Sequence, residues 1–387
     1  MVLFISILFF LFVVYAILID YYRRAWNKLP LYITDDIEPQ TIISVVIAMR
    51  NEEENVKQLL NSLEKQTYPK NKFQVVIVDD HSEDKTWELL SSHNYSFLWY
   101  IAMKLADHYP GSNQNMAHKK RALEVGINAS EGKLIVTTDA DCTFPENWLS
   151  TIARFYETTG AKFIAAPVRI ETNRTLISVF QTTDFLTLQG ITGASVYKRM
   201  HTMCNGANLA YEKAAFIEVN GFSGIDDLPS GDDMLLMYKI YKRYPENVHY
   251  LKATSAIVNT SPVRTWRQFF HQRIRWASKA DRYDDKRIFR VLLLVYLLNV
   301  GFLALGVAAF FKPTYGFFLL LFLLAKVLIE FPFVNSVAAF FGQQRLVRFF
   351  LLLQPLHIFY TIIAGWLGKF GSFEWKGRTI KKVNFKR

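Results

Sequence analysis

Cysteine is scarce. Cys142 and Cys204 are the only two in 387 residues, too few for a metal cage of their own and no sign of an oxidising compartment. The chain has no zinc-finger spacing, no nucleic-acid motif, no internal repeat and no low-complexity run. No Lys or Arg precedes the first apolar run and no small-x-small site follows it, which argues against a cleaved signal peptide. Acidic residues are the scarcer charge, 34 against 45 Lys and Arg, for a formal net charge of +11. Such a balance suits nucleic acid, anionic lipid or an anionic small substrate. The basic residues crowd near apolar segments, which favours a membrane surface. What is abundant is apolar: 51% of residues are hydrophobic and 32 are Phe. That is too apolar for a wholly soluble chain and too charged for a channel-like bundle. The length suggests about two domains.

Val2 to Ile19 is apolar and long enough to act as a membrane anchor. Arg23, Arg24 and Lys28 follow it, so the next domain is expected in the cytoplasm. Leu29 to Gln40 reads as a linker. Ile42 to Met49 is a buried-strand run, and Asn51-Glu-Glu-Glu54 has the pattern of a capping box opening a helix with Val56, Leu59, Leu60 and Leu63 on its core face. A strand from Phe73 to Val78 ends at Asp79-Asp80, and a helix follows from Lys85. A strand spans Trp99 to Met103, and a helix Ala117 to Asn128 carries Lys119, Lys120 and Arg121. A strand from Leu134 to Thr138 ends at Asp139-Ala-Asp141. This alternation argues for an α/β domain with a mainly parallel sheet, in which ligands bind beyond the carboxyl ends of the strands. Asn51, Asp79, Asp80, Asp139 and Asp141 all stand at such ends. Asp139 and Asp141 can project to one side of an extended chain. Two carboxylates so close suit a hard cation, Mg²⁺ or Mn²⁺, carrying a phosphorylated ligand. The plainer reading of the pair is a strand ending in a polar turn.

Helices are expected over Trp148–Thr158 and Leu176–Gly190, with a short strand around Phe163–Pro167 between them. Cys204-Asn-Gly-Ala-Asn208 is a loop, Glu212 to Val219 a helix, and Ser230-Gly-Asp-Asp233 opens the helix Met234–Tyr244, where capping alone accounts for the acids. Thr265 to Trp276 is an amphipathic helix suited to a membrane surface. Val291–Phe311 and Tyr315–Val334 read as spans, the second holding Lys326 and Glu330 as an i,i+4 pair. Phe349–Trp366 is interrupted by Gln354, Pro355 and His357. The tail from Lys369 to Arg387 is strongly basic and is expected inside. Two full crossings plus a re-entrant or interfacial third segment would satisfy that rule.

Taken in order, the motifs resemble the membrane-bound family-2 glycosyltransferases of GT-A fold, among them ceramide glucosyltransferases and the synthases of cellulose, chitin, hyaluronan and poly-N-acetylglucosamine. Ser44-Val-Val-Ile-Ala-Met-Arg-Asn-Glu52 and Val78-Asp-Asp-His-Ser-Glu-Asp84 resemble the nucleotide-binding strands and loops. Lys119-Lys-Arg-Ala-Leu123 is similar to the lysine helix. Asp139-Ala-Asp141 matches D-x-D, Asn205-Gly-Ala-Asn208 resembles the loop near the acceptor, and Gly231-Asp-Asp233 stands where the family has Glu-Asp. Gln272-Arg-Ile-Arg-Trp276 matches Q-x-x-R-W and the fuller Q-R-x-R-W. The chain departs from the pattern at Ala48 (often Pro), His118 (usually Gly), Glu124 (usually Asn) and Asp232 (usually Glu). The resemblance implies an N-terminal anchor over 1–28, a GT-A catalytic domain over 29–262, an interfacial region over 263–290 and a C-terminal membrane region over 291–387.

The implied reaction is inverting transfer of a sugar from a nucleoside diphosphate sugar, UDP-sugar being the expected donor. Asp233 is the implied base and Arg275 a catalytic contact to the diphosphate. The donor falls to Asn51, Glu52, Asp79, Asp80, Lys119, Asp139, Gln272 and Arg273. Asp141 with Asp139 would hold the metal, and Asn205, Gly206, Asp232 and Trp276 would meet the acceptor. Trp276 reads equally as an interface anchor, and Lys120 and Arg121 read as a solvated helix face. The tail Trp375-Lys-Gly-Arg378 resembles that of ceramide glucosyltransferases and favours a membrane lipid as acceptor. A processive synthase extending a growing glycan is the alternative, and a non-catalytic nucleotide-sugar-binding scaffold a third reading. Expected partners are therefore the donor, the acceptor and the bilayer, with no nucleic acid; the oligomeric state is left open.

Overall fold

Val45, Val46 and Ile47 have no exposed surface, as a continuous β-branched run predicts for a strand covered on both faces. The computed structural model describes residues 1–34, 38–92, 99–109, 118–200, 203–226, 230–279, 285–375 and 378–381. In chain order the elements begin with α1 (Val2–Lys28), β1 (Ile43–Met49), α2 (Val56–Glu64), β2 (Phe73–Asp79), α3 (Thr86–Ser91), β3 (Tyr100–Lys104), α4 (Leu105–His108), α5 (His118–Ala129) and β4 (Leu134–Thr137). Next come β5 (Cys142–Thr143), α6 (Trp148–Thr159), β6 (Phe163–Ala165), β7 (Val168–Ile170), α7 (Leu176–Tyr197), β8 (Leu209–Glu212), α8 (Lys213–Glu218), α9 (Met234–Arg243), β9 (Val248–Tyr250) and β10 (Val258–Thr260). The chain continues through α10 (Trp266–Ala277), α11 (Lys286–Ala309), α12 (Pro313–Phe340), α13 (Gln344–Val347), α14 (Phe350–Phe370), β11 (Ser372–Trp375) and β12 (Arg378–Lys381).

Two structural units divide these elements. The first comprises Leu29–Glu171 and Ser195–Ser261; the second comprises Met1–Lys28, Thr172–Ala194 and Pro262–Arg387. Thr172–Ala194, which carries most of α7, thus groups with the apolar helices rather than with the sheet, although it falls inside the expected catalytic stretch 29–262.

The first unit is built on a seven-stranded sheet ordered β3-β2-β1-β4-β8-β6-β9. β2, β1 and β4 run parallel side by side, while β8 is antiparallel to both its neighbours. The chain order reverses beside β1, so the crevice between the ends of β1 and β4 is a topological switch point. α5 packs closely on this region: a Cβ at Gly126 would lie 2.5 Å from Val46 Cγ1, so only glycine permits the approach. A small second sheet, β5-β10-β7, braces the loop that follows β4.

Three local expectations are corrected. Asn51 does not cap a helix. It adopts φ 50, its side chain accepts from Glu83 N at 2.9 Å, and α2 begins only at Val56. The pull of the loop after β2 outweighs the local capping pattern. A capping box does form, at Thr265 and Gln268 on α10, where the sequence reading had none. Lys120 is not on a solvated face: it is 1% exposed and donates to the Ile225 carbonyl.

Among the described residues of the second unit, four helices are long and apolar enough to cross a membrane: α1, α11, α12 and α14. α14 is one unbroken helix with Pro355 inside it, so the expected re-entrant break is absent. A proline near a helix start removes one backbone bond, and neighbouring helices can accommodate the loss. α14 lies along α10: Tyr360 and Phe269 rings are 5.3 Å apart, and Gly368 meets Ala277. The expected Lys326–Glu330 pair forms at 2.6 Å. Tyr15 of α1 donates to Glu330, and Gln354 of α14 accepts from Lys326 at 2.6 Å and donates to Glu330 at 3.2 Å. Charges within apolar helices need such partners.

Candidate active site

β4 delivers Asp139 and Asp141 to the switch point, and long-range contacts fix them there. Asp139 Oδ1 is 2.8 Å from Lys119 Nζ at the first turn of α5. The same ammonium lies 3.0 Å from Asp232 Oδ2, so it bridges two carboxylates. Burial alone would lower the Lys119 pKa. Asp139 and then Asp232 outweigh it and hold the amine above the ordinary lysine value. Gly206 lies against this bridge, its missing Cβ position 3.4 Å from both Asp232 Oδ2 and Lys119 Nζ and 3.8 Å from Asp233 Cβ. Lys119, Asp139, Gly206, Asp232 and Asp233 are therefore brought together from four separate stretches of sequence.

Asp141 is held from the second sheet. Thr260 Oγ1 donates to its Oδ2 at 3.0 Å, and Cys142 Sγ lies 3.8 Å from its Oδ1. Burial, then Asp141, then Asp139 push the Cys142 thiol well above its usual pKa, so the negative fields of both carboxylates meet at one place. This oxygen-only donor set fits a hard divalent cation. Mg²⁺ in particular takes one or two protein carboxylates and completes its shell with water and phosphate oxygens. Among the described residues, the group of three donors close enough to share one ion lies elsewhere, at Asp80, His81 and His118.

Asp233 is the N-cap of α9, its Oδ1 accepting from Met234 N at 2.7 Å. Asn205 turns its own loop by accepting from Ala207 N at 2.9 Å. Asn208 is fully buried and structural: it donates to Pro167 O and Ala256 O, both at 2.8 Å, and accepts from Trp148 Nε1 at 3.0 Å.

At the end of β2, Asp79 and Asp80 are 4% and 2% exposed. Asp79 Oδ2 accepts from Ser82 N at 3.3 Å. Arg50 clamps this loop, donating to Asp80 O at 3.0 Å, His81 O at 2.7 Å and Glu83 Oε1 at 2.9 Å. Glu52 accepts from Asn55 at 2.6 Å, and its N–H donates to Thr86 at 2.8 Å. The sequence reading missed Arg50, Thr138, which ties β4 to Ala207 O at 2.8 Å, and Thr260. Each acts across the fold, and no local pattern marks it.

Gln272, Arg273, Arg275 and Trp276 lie on α10 of the second unit. Arg273 has different partners from those expected. Its Nη2 is 2.8 Å from Asp184 Oδ2 with both side chains under 5% exposed, and its Nη1 donates to Gln272 at 3.1 Å. The guanidinium also sits 4.1 Å from the Trp276 ring centre and 4.7 Å from that of Phe269. Trp276 is thereby engaged within its own helix. The Trp375-Lys-Gly-Arg378 tail falls partly outside the described residues.

The model of the family described as "Glycosyl transferase family group 2" matches residues 134–365, and that of "Glycosyl transferase family 2" matches residues 44–219. The Bacillus subtilis protein named "Probable glycosyltransferase YdaM" is 26% identical over 246 residues, 61% of this chain and 54% of that protein. The chain thus spans about half the length of that relative. "Glycosyltransferase AglE" of Haloferax volcanii is 25% identical over 267 residues, 67% of this chain and 81% of the other. Among solved structures, the mannosyltransferase PcManGT of Pyrobaculum calidifontis, in complex with GDP-Man and Mn²⁺, superposes with a TM-score of 0.58. It is 18% identical, with 92% of this chain and 97% of that one covered, a likeness of fold.

Proposed function

The chain belongs to glycosyl transferase family group 2, and we propose that it moves one sugar from a nucleoside diphosphate sugar to the hydroxyl of a membrane lipid, with inversion at the anomeric carbon. It is a nucleotide-sugar glycosyltransferase of GT-A fold with four membrane-type helices. The observation that carries the donor side of this reading is the Lys119 ammonium held between Asp139 and Asp232 at the switch point, beside Asp233 and Gly206. A leaving diphosphate needs positive charge placed in advance. Lys119 supplies it from the chain, and a Mg²⁺ or Mn²⁺ ion held by Asp139 and Asp141 would supply the rest as a Lewis acid. Asp232 keeps the ammonium in place, while Asp233 takes the proton from the acceptor hydroxyl. Its N-cap bond to Met234 N orients that carboxylate. Asn51, Glu52, Asp79 and Asp80 would recognise base and ribose.

The lipid acceptor reading rests on the apolar helices. The processive reading leans on Q-R-x-R-W, but Arg273 inside that motif is already engaged by Asp184, which weakens it as a separate donor-site signal. A cytoplasmic side for the catalytic unit is supported by Arg23, Arg24 and Lys28 after α1. The purified protein in lipid, offered a panel of nucleotide sugars, is expected to give a lipid one sugar heavier by mass spectrometry. Asp141→Ala, or excess chelator, should abolish that product. A ladder of long saccharides would overturn the lipid reading, and near-normal transfer by Asp141→Ala would overturn the metal role.

A further inference from the structure

We propose that Asp80, His81 and His118 form a second metal site, selective for a transition metal of the Zn²⁺ class. It would be distinct from the Asp139–Asp141 pair.

Asp80 directly follows β2, and His118 opens the described part of α5. His81 takes a left-handed backbone, φ 55, a conformation that histidine tolerates better than most residues. Asp80 N donates to Met49 O at 2.7 Å, and Arg50 holds the carbonyls of Asp80 and His81, so the loop backbone is fixed before any ligand arrives.

His81 Nδ1 lies 3.0 Å and His118 Nδ1 3.2 Å from Asp80 Oδ1, and one ligand atom from each residue falls within 4.8 Å of the others. A tetrahedral ion with bonds of about 2.0–2.1 Å separates its ligand atoms by roughly 3.3 Å, so the spacing already suits one ion. The imidazole planes meet at 86° with centroids 5.7 Å apart, an edge arrangement rather than a stack.

Burial supplies an independent observation. His118 is 6% exposed, and neither ring nitrogen makes a hydrogen bond of acceptable geometry among the described residues. The 3.2 Å approach to Asp80 is therefore proximity without a directed bond. Asp79 Oδ1, next along the chain, is buried and unpaired in the same way. Buried polar atoms left so are costly, and a metal bond to the imidazole would satisfy the requirement.

Ligand type separates the two sites. Imidazole nitrogen with one carboxylate favours Zn²⁺, Ni²⁺ or Cu²⁺; an oxygen-only pair favours Mg²⁺ or Mn²⁺. Asp80 and Asp139 follow β2 and β4, which flank β1, so the two sites are about 10 Å apart at the usual strand spacing.

The test uses full-length protein in detergent, purified without a histidine tag, stripped with chelator and titrated with Co²⁺ as a coloured probe for Zn²⁺. The wild type is expected to bind one Co²⁺ with visible d–d absorption that Zn²⁺ displaces. Asp141→Asn should keep this signal. His81→Gln and His118→Gln should each weaken Co²⁺ binding by more than about 100-fold, since even outer-shell partners are worth 10–100-fold. Mn²⁺ binding, followed by electron paramagnetic resonance, should show the opposite pattern. The proposal is overturned if the wild type binds no Co²⁺, if both His variants bind it like the wild type, or if Asp141→Asn alone removes the signal. His81 is 34% exposed at its side chain, so its variant disturbs the core least and decides the question should His118→Gln not fold.

Discussion

Replacing Arg273 by Met should unfold the helical unit before it affects the donor. Arg273 and Asp184 lie 2.8 Å apart with side chains 3% and 4% exposed, and Tyr360 Oη donates to the other Asp184 oxygen at 2.5 Å. The three residues come from α10, α7 and α14, so the ion pair and its hydrogen bond together join three helices. Removing one partner of such a pair strands the other charge at a cost of about 3–5 kcal/mol. At roughly 2–4 °C per kcal/mol for a unit of this size, the unfolding midpoint should fall by about 6–20 °C. Asp184→Leu should do comparable harm. The double variant should recover much of the loss, because replacing both charges by apolar groups of similar volume is often nearly neutral. The assay is thermal unfolding of detergent-solubilised protein for the four members of the cycle, with donor affinity measured below each midpoint. An unchanged midpoint in Arg273→Met together with a donor affinity weakened tenfold or more would refute the structural role and return Arg273 to the diphosphate. A double variant no better than the worse single one would refute the pairing.

Three further outcomes are expected. Asp233→Asn should lower kcat by about 10²-fold or more while nucleotide binding stays nearly unchanged; an active Asp233→Asn beside a dead Asp232→Asn would show that the acids have exchanged roles. Burial alone would raise the Glu212 pKa, but hydrogen bonds from Lys162 and Tyr156 outweigh it and hold the carboxyl below the usual value. The resulting stability is present above the unfolded glutamate pKa of about 4.3 and is lost as pH falls through the lower folded value. Glu212→Gln should thus trail the wild type in unfolding midpoint near neutrality and converge with it in acid; a gap that stays constant to pH 3 contradicts the assignment. Finally, Lys369→Cys, in a background lacking Cys142 and Cys204, should resist an impermeant maleimide in intact cells if α14 rests against α10 rather than crossing; labelling would place the tail outside.

Much of the fold was legible in the chain because it is written in local periodicity. The unbroken β-branched run of β1, the helical spacing of Val56, Leu59, Leu60 and Leu63, and the long apolar helices need no tertiary context to be recognised. Carboxylates placed just after strands were legible for the same reason, since the strand ends were. The i,i+4 pair of Lys326 and Glu330 is likewise a local relation. Tertiary structure decided the rest. It set Asn51 bonding across to Glu83 instead of capping a helix, because a contact between two loops outweighed a pattern spanning four residues. It kept α14 whole through Pro355. It buried Lys120, whose carbonyl partner lies more than a hundred residues away. It made Arg273 the partner of Asp184, 89 residues away. Above all, it brought Lys119 between Asp139 and Asp232. Which charges become neighbours depends on strand order and helix packing, and a one-dimensional chain carries no distance between residues that far apart.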